Sequence, residues 1–375
     1  MKNQEILHQS YTLGNLALKN RFVMAPMTRS RAIDNLPNDL MVEYYRQRAT
    51  AGLIITEGIA PSANGTGYIR IPGLYNEAQV AGWKKITDAV HENDAKIFAQ
   101  FMHTGRASHV DNLPEGAEIV APSAIATADN IWTDTNGLQP ASLPREMTIE
   151  DIKQAKEEFV QAALNAIKAG FDGIEIHGAN GYLPDQFLNP ASNQRTDEYG
   201  GSIENRARFI LEITSAIADA IGKDKVGVRI SPYGVFNGMI IYPEMEETFI
   251  YLAAAFNKIG VVYLHIADHS SMGTPEVSPS VKKGIRDHFK GSFIMAKNYA
   301  AETAIADIEN GIIDLPAFGR SFLANPDLPY KILNGLPLTQ PDMATLYASG
   351  ASGEAGYTDY PFAIASSSKQ KLTVH

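Results

Sequence analysis

No cysteine occurs among the 375 residues. That absence removes disulfides, thiolate zinc sites, iron–sulfur clusters and thiol nucleophiles from consideration. Positive charge is also scarce, with 32 Lys and Arg against 42 Asp and Glu and a formal net charge of −10. No basic run interrupts that balance, so neither nucleic acid nor an anionic membrane surface is the expected partner. Apolar runs never approach the ~20 residues of a membrane span, and the stretch from Met1 to His8 is polar, without the apolar core of a signal segment. A cytoplasmic location is the expectation. Finally, no Gly-x-Gly-x-x-Gly stands at any strand-to-helix turn, which counts against a dinucleotide-binding doubly wound sheet.

What is present describes a large folded core, with 45% hydrophobic and 20% charged residues. A chain of this length could hold two average domains, but a single α/β barrel with insertions also reaches it, and one domain over residues 1–375 is the reading adopted. Apolar strand-like runs begin at Phe22, Leu53, Lys96, Phe171, Val226, Val262, Phe293 and Leu315. Helix-period segments lie between them at 39–51, 78–91, 149–169, 204–221, 245–259, 277–288 and 301–310. Strands apolar on both faces are buried on both faces, and strict alternation with helices demands right-handed parallel crossovers. The economical solution is a closed (β/α)₈ barrel, the TIM-barrel architecture, with an open doubly wound sheet as the alternative.

Two accessory pieces are expected. Residues 5–20 are short apolar segments broken at Gly14-Asn15, which suits a hairpin plugging one end of the barrel. Residues 106–147, between the third strand and its helix, are rich in Pro, Ala, Ser, Thr and Asn and contain Asn136-Gly137. An insertion of that length is read as a lid over a site in preference to a plain surface excursion. Residues 362–375 are read as a tail.

In a barrel, functional groups gather where the strands end. Those ends carry Thr28, Glu57 with Gly58, Gln100 with His103, His177 with Asn180, Arg229, Lys297 with Asn298, and Gly319 with Arg320. The set contains no carboxylate pair at glycosidase separation, no activated serine and no metal-ligand cluster. It offers uncharged donors and two guanidinium groups instead. Gly319 and Arg320 after the last strand, with Lys297 and Asn298 after the seventh, occupy the corner where barrels hold phosphate. Arg229 at the end of the fifth strand needs an anionic partner, and a flavin supplies one along its N1/C2 edge. Gln100 can donate and accept at once, as the pyrimidine edge of that ring requires, and Thr28 could reach its C4 oxygen.

The stretch Phe171 to Leu188 is the densest in chemistry. An apolar strand stops at His177-Gly178, and Asn180 and Tyr182 follow. His177 and Asn180 can both donate to one ligand oxygen, and a tyrosine phenol, with an ordinary pKa of about 10, is protonated at neutral pH. A structural histidine and a core tyrosine are the plainer alternatives for His177 and Tyr182.

The motifs at Asn20 to Arg29, Glu43 to Ala49, Gln100 to Arg106, His177 to Leu183, Asn193 to Arg206, Ala317 to Ser321, Asn325 to Leu328 and Gly356 to Pro361 resemble those of the Old Yellow Enzyme family of FMN-dependent ene-reductases. The likeness is greatest to its bacterial N-ethylmaleimide and nitrate-ester reductase branch. The resemblance implies tightly bound FMN and a ping-pong cycle, with NADPH or NADH as reductant. The second substrate would be an α,β-unsaturated carbonyl, a maleimide, a nitroalkene or a nitrate ester, and the protein a monomer or homodimer. It further implies that Pro26, Met27, Thr28, Gly58, Gln100 and Arg229 hold the isoalloxazine, and that Lys297, Asn298, Gly319 and Arg320 take the phosphate. His177 and Asn180 would bind the acceptor oxygen, Tyr182 would be the proton donor, and Tyr68, Met102 and Tyr357 would line the substrate side. The loop 236–247 is read as a further wall of that pocket. No resident metal is implied. The competing reading is a Schiff-base aldolase or lyase using Lys297.

Overall fold

A computed structural model describes residues 5–347 and 353–363. Eight parallel strands close into a barrel: β1 (Val23–Met24), β2 (Leu53–Ile59), β3 (Lys96–Phe101), β4 (Gly173–Gly178), β5 (Val226–Ile230), β6 (Tyr263–Ala267), β7 (Ser292–Ala296) and β8 (Leu315–Phe318). Each strand pairs with the next, and β8 returns to β1 through Ala317 opposite Val23. The expected TIM barrel is therefore observed, closed and without a switch point. Every residue of β2 is buried, in keeping with an apolar run that faces helices on one side and the barrel interior on the other.

Helices Asp39–Arg48, Glu77–His91, Ile149–Lys168, Ile203–Ile221, Met245–Ile259, Pro279–His288 and Ala301–Glu309 follow the first seven strands. Their starts are set locally. Asn76 and Gln79 form a reciprocal capping box on the second, and Thr148 and Asp151 form another on the third. β1 is shorter than its apolar run suggests. Its ladder ends when Ala25 N donates to Phe318 O, and the next residue, Pro26, has no N–H to extend it. The chain leaves the barrel there, which turns Pro26, Met27 and Thr28 across its mouth.

The hairpin is Tyr11–Leu13 with Leu16–Leu18, turning at Gly14-Asn15. Leu13 and Leu18 are buried against Val23, Leu53, Phe98 and Tyr263, closing the end of the barrel opposite the strand carboxyl ends. The insertion after β3 carries an antiparallel hairpin, Asn130–Thr133 with Gly137–Pro140. Asn112 ties it down by donating from Nδ2 to Trp132 O (2.9 Å) and Gly67 O (3.0 Å). Arg70 on the loop after β2 pairs with Asp134 at the hairpin tip. Most of the expected carboxyl-terminal tail lies outside the described residues.

Candidate active site

Parallel register decides which side chains meet. His177 on β4 lies opposite Arg229 on β5, and Arg229 lies opposite His265 on β6. Glu175, two residues before His177 and so on the same face of the strand, lies opposite Gln100 on β3. The result is a buried polar floor. Gln100 Nε2 donates to Glu175 Oε1 at 2.7 Å, and His265 Nδ1 lies 2.9 Å from Glu175 Oε2. Burial works against the Glu175 carboxylate, but His265, Arg229 and Gln100 outweigh it and hold its pKa below the usual value. Burial lowers the His265 pKa against the opposing pull of Glu175, and the Arg229 charge acts on the same carboxylate.

Above this floor is a cavity of about 620 Å³. Pro26, Met27, Thr28, Gln100, Arg229, Asn298, Gly319 and Arg320 all line it, as do His177, Asn180, Tyr182, Tyr68 and Met102. Thirteen of the residues singled out from the sequence thus share one wall. The His177 and Tyr182 rings meet edge to face at 4.7 Å, and Tyr68 meets Tyr182 at 6.0 Å. Burial, reinforced by the Tyr68 phenol, pushes Tyr182 well above its ordinary pKa. Burial and the Arg229 charge push His177 well below its own. At neutral pH the loop therefore presents a protonated phenol and a neutral imidazole.

Tyr182 also caps a short helix, Leu183–Leu188, that the sequence pattern did not suggest. Pro184 falls in its first turn, where a missing N–H costs nothing. This helix anchors the loop, because Gln186 Nε2 donates to Gly181 O and Thr104 O.

Three expected residues are placed elsewhere. Tyr357 is fully buried and stacked on Tyr44 with ring centres 4.1 Å apart, beneath Arg29 and Arg31. It is not a substrate wall, because Arg29 draws the carboxyl-terminal segment inward by donating to Leu346 O and Gly356 O. Lys297 Nζ pairs with Asp307 at 2.7 Å and does not line the cavity. Its amine is engaged by that ion pair and by the face of the Tyr299 ring, 5.1 Å away. Gly58 is also off the wall. A Cβ added to it would come within 2.6 Å of Met102 Sδ, so its role is to let Met102 take its place in the lining.

The loop 236–247 contributes only its start. Phe236 and Asn237 face the cavity, whereas Met239 and Tyr242 are buried away from it and Ile240 and Ile241 face solvent. Other lining residues gave no sequence signal: Asn130, Ile131 and Trp132 from the hairpin, Asp268 and His269 after β6, and Met343, Leu346 and Tyr347. The hairpin thus reaches the cavity, as a lid would.

The residues present suit a flavin. Arg229 is buried with Nε lacking a hydrogen-bond partner, and Gln100 Oε1 has none among the described residues. A cation and a free acceptor in the lining of one cavity match an N–H and an electron-rich carbonyl edge of the same ring. At the far side, a Cβ on Gly319 would meet nothing nearer than Met27 Sδ at 3.6 Å, leaving that corner open beside Asn298 and Arg320.

A mouth of this kind belongs to the barrel oxidoreductases that work through a bound organic cofactor. The chain belongs to the NADH:flavin oxidoreductase / NADH oxidase family, whose model matches residues 7–339. It is 42% identical over 368 residues to the probable flavin mononucleotide-dependent alkene reductase of Leishmania infantum, covering 96% of this chain and 98% of that one. A solved structure of morphinone reductase with tetrahydroNAD matches at TM-score 0.90 and 42% identity, covering 97% and 99% of the two chains. The old yellow enzyme homologue from Zymomonas mobilis matches at TM-score 0.90 and 38% identity, covering 95% and 99%. Identity is similar across these relatives, so the Old Yellow Enzyme family is established and no narrower branch stands out.

Proposed function

We propose that the protein is an FMN-dependent, nicotinamide-driven reductase of activated carbon–carbon double bonds. The observation that carries this reading is the convergence of His177, Asn180 and Tyr182 on the same cavity as Arg229 and Gln100. FMN, when bound, would take a hydride from NADPH or NADH and later yield it to the β-carbon of the acceptor.

The chain's own part is binding, orientation and a proton. Gln100, Arg229, Thr28, Pro26 and Met27 hold the ring, and Asn298, Gly319 and Arg320 receive the phosphate. His177 and Asn180 donate to the carbonyl or nitro oxygen, drawing electrons from the double bond. Tyr182 gives its proton to the α-carbon, which balances the arriving hydride and leaves a saturated bond, and its phenolate recovers a proton from solvent. Enones, maleimides and nitroalkenes meet these requirements, and nitrate esters offer the same oxygens. The similarity to a structure holding tetrahydroNAD supports a nicotinamide entering the same cavity.

The test is an anaerobic titration. The purified yellow protein should bleach with NADPH and recover its colour on addition of 2-cyclohexen-1-one, with cyclohexanone as product. A protein that carries no flavin and cannot be loaded with FMN would overturn the reading.

A further inference from the structure

Asn180 is held at three points by other loops. Its backbone N–H donates to Ser231 Oγ at 2.8 Å, and its backbone carbonyl accepts from Asn237 Nδ2 at 2.8 Å. Its side-chain Oδ1 lies 2.7 Å from His269 Nε2. Its φ of +60° is left-handed, a conformation that asparagine tolerates better than most residues. With the backbone pinned, one freedom matters to a ligand, namely which end of the carboxamide faces the cavity.

We propose that His269 is a positioning residue that makes this choice, donating from Nε2–H to Asn180 Oδ1 so that the Asn180 NH₂ is left to bind an acceptor oxygen. An amide oxygen can only accept, so the contact requires the proton on Nε2. The opposite orientation would offer Oδ1 to the cavity and repel a carbonyl or nitro oxygen. His269 is well placed to hold the setting. Its ring stands edge-on to Phe236 at 4.8 Å. Burial, then Arg229 and His265, lower its pKa to about 4 against the opposing pull of Asp268, so it stays neutral and the tautomer alone sets the direction. Nothing in the sequence pattern singled His269 out, because it follows β6 in a loop with no helical or strand period. The use of the amide in oxygen binding rests on the function proposed above, whereas the orientation does not.

Two measurements decide it. In ¹H–¹⁵N correlation spectra of the flavin-loaded protein labelled at histidine, with His269 assigned by its loss in His269→Gln, the Nε2–H tautomer is expected. The Nδ1–H tautomer would overturn the proposal whatever the enzyme reduces. Binding of the inert product cyclohexanone, read from the flavin absorption spectrum, should weaken about tenfold in His269→Ala, the loss of one oriented hydrogen bond. His269→Gln, which keeps a donor, should stay within about threefold by the same reasoning. Equal effects of the two substitutions, or no effect of either, would refute it. In an Asn180→Ala background, His269→Ala should add nothing, and additive losses would refute it as well. Should the wild-type protein bind flavin but fail to reduce 2-cyclohexen-1-one, the functional reading falls while the tautomer still decides the role of His269.

Discussion

Gln100 Nε2 donates to Glu175 Oε1 over 2.7 Å in the interior of the barrel. One donor of the carboxamide is thereby committed to the protein, and its Oε1 remains as an acceptor at the cavity. Glu175 is also the carboxylate whose charge favours the Arg229 cation. In Glu175→Gln the contact to Gln100 can persist, but Arg229 loses its counter-charge. The flavin midpoint potential should then rise by tens of millivolts, because an uncompensated cation favours the reduced ring. Spectroelectrochemical titration measures the shift, and an unchanged or lower potential would contradict the assignment.

Under the proposed function, Tyr182→Phe would remove the proton donor and nothing that holds the ring. Stopped-flow bleaching by NADPH should stay within about twofold, while reoxidation by 2-cyclohexen-1-one should slow by about 10² or more, the range for a lost general acid. Equal slowing of both half-reactions would remove Tyr182 from that role.

Tyr357 offers a test of the corrected placement. Its hydroxyl is buried and has no hydrogen-bond partner among the described residues, so Tyr357→Phe should leave thermal stability unchanged or slightly raised and turnover unaffected. Tyr357→Ala removes a ring stacked on Tyr44 and covered by Arg29, and should cost about 3–5 kcal/mol in urea unfolding. A changed KM in Tyr357→Phe would return the residue to the substrate wall.

Asp185 links stability to pH. Burial pushes its carboxyl up to about 7, opposed by the Gly181 N–H that it accepts at 2.8 Å. An acid whose folded pKa is raised stabilises the fold fully below its unfolded value near 3.8 and loses that contribution as pH rises through 7. Asp185→Asn keeps the shape and the acceptor without the charge. Its stability relative to wild type should therefore grow between pH 5 and pH 8, by a few kcal/mol, and level off above. A constant difference across that range would show that the carboxyl is not buried as described.

The barrel was legible because its signal is redundant. Eight apolar runs and the intervening helices each repeat the same demand for burial on both faces, and Gly14-Asn15 marks the plugging hairpin directly. The floor and mouth residues were legible for a related reason: a parallel strand ends where its apolar run ends, and barrels place chemistry there. The early exit of β1 was not read from the apolar run that begins at Phe22, although Pro26, which cannot extend a ladder, marks the place. Tyr357 was misread because its neighbours, Tyr44 and Arg29, lie more than 300 residues away in sequence, and no local period announces such a contact. Trp132, Tyr347 and His269 sit in irregular backbone, where burial and direction are set by tertiary contacts alone. Lys297 was misplaced for want of one partner, Asp307, on the following helix.

The hairpin that seals the barrel with Leu13 and Leu18 has a kinetic meaning. With that end closed, the cavity described above opens at the strand carboxyl ends, so under the proposed function the nicotinamide and the alkene would meet the same threshold beside Tyr68 and Trp132. On that reading taking turns would be a property of the architecture, and a crowd of alkene should obstruct the very reductant on which its own reduction depends.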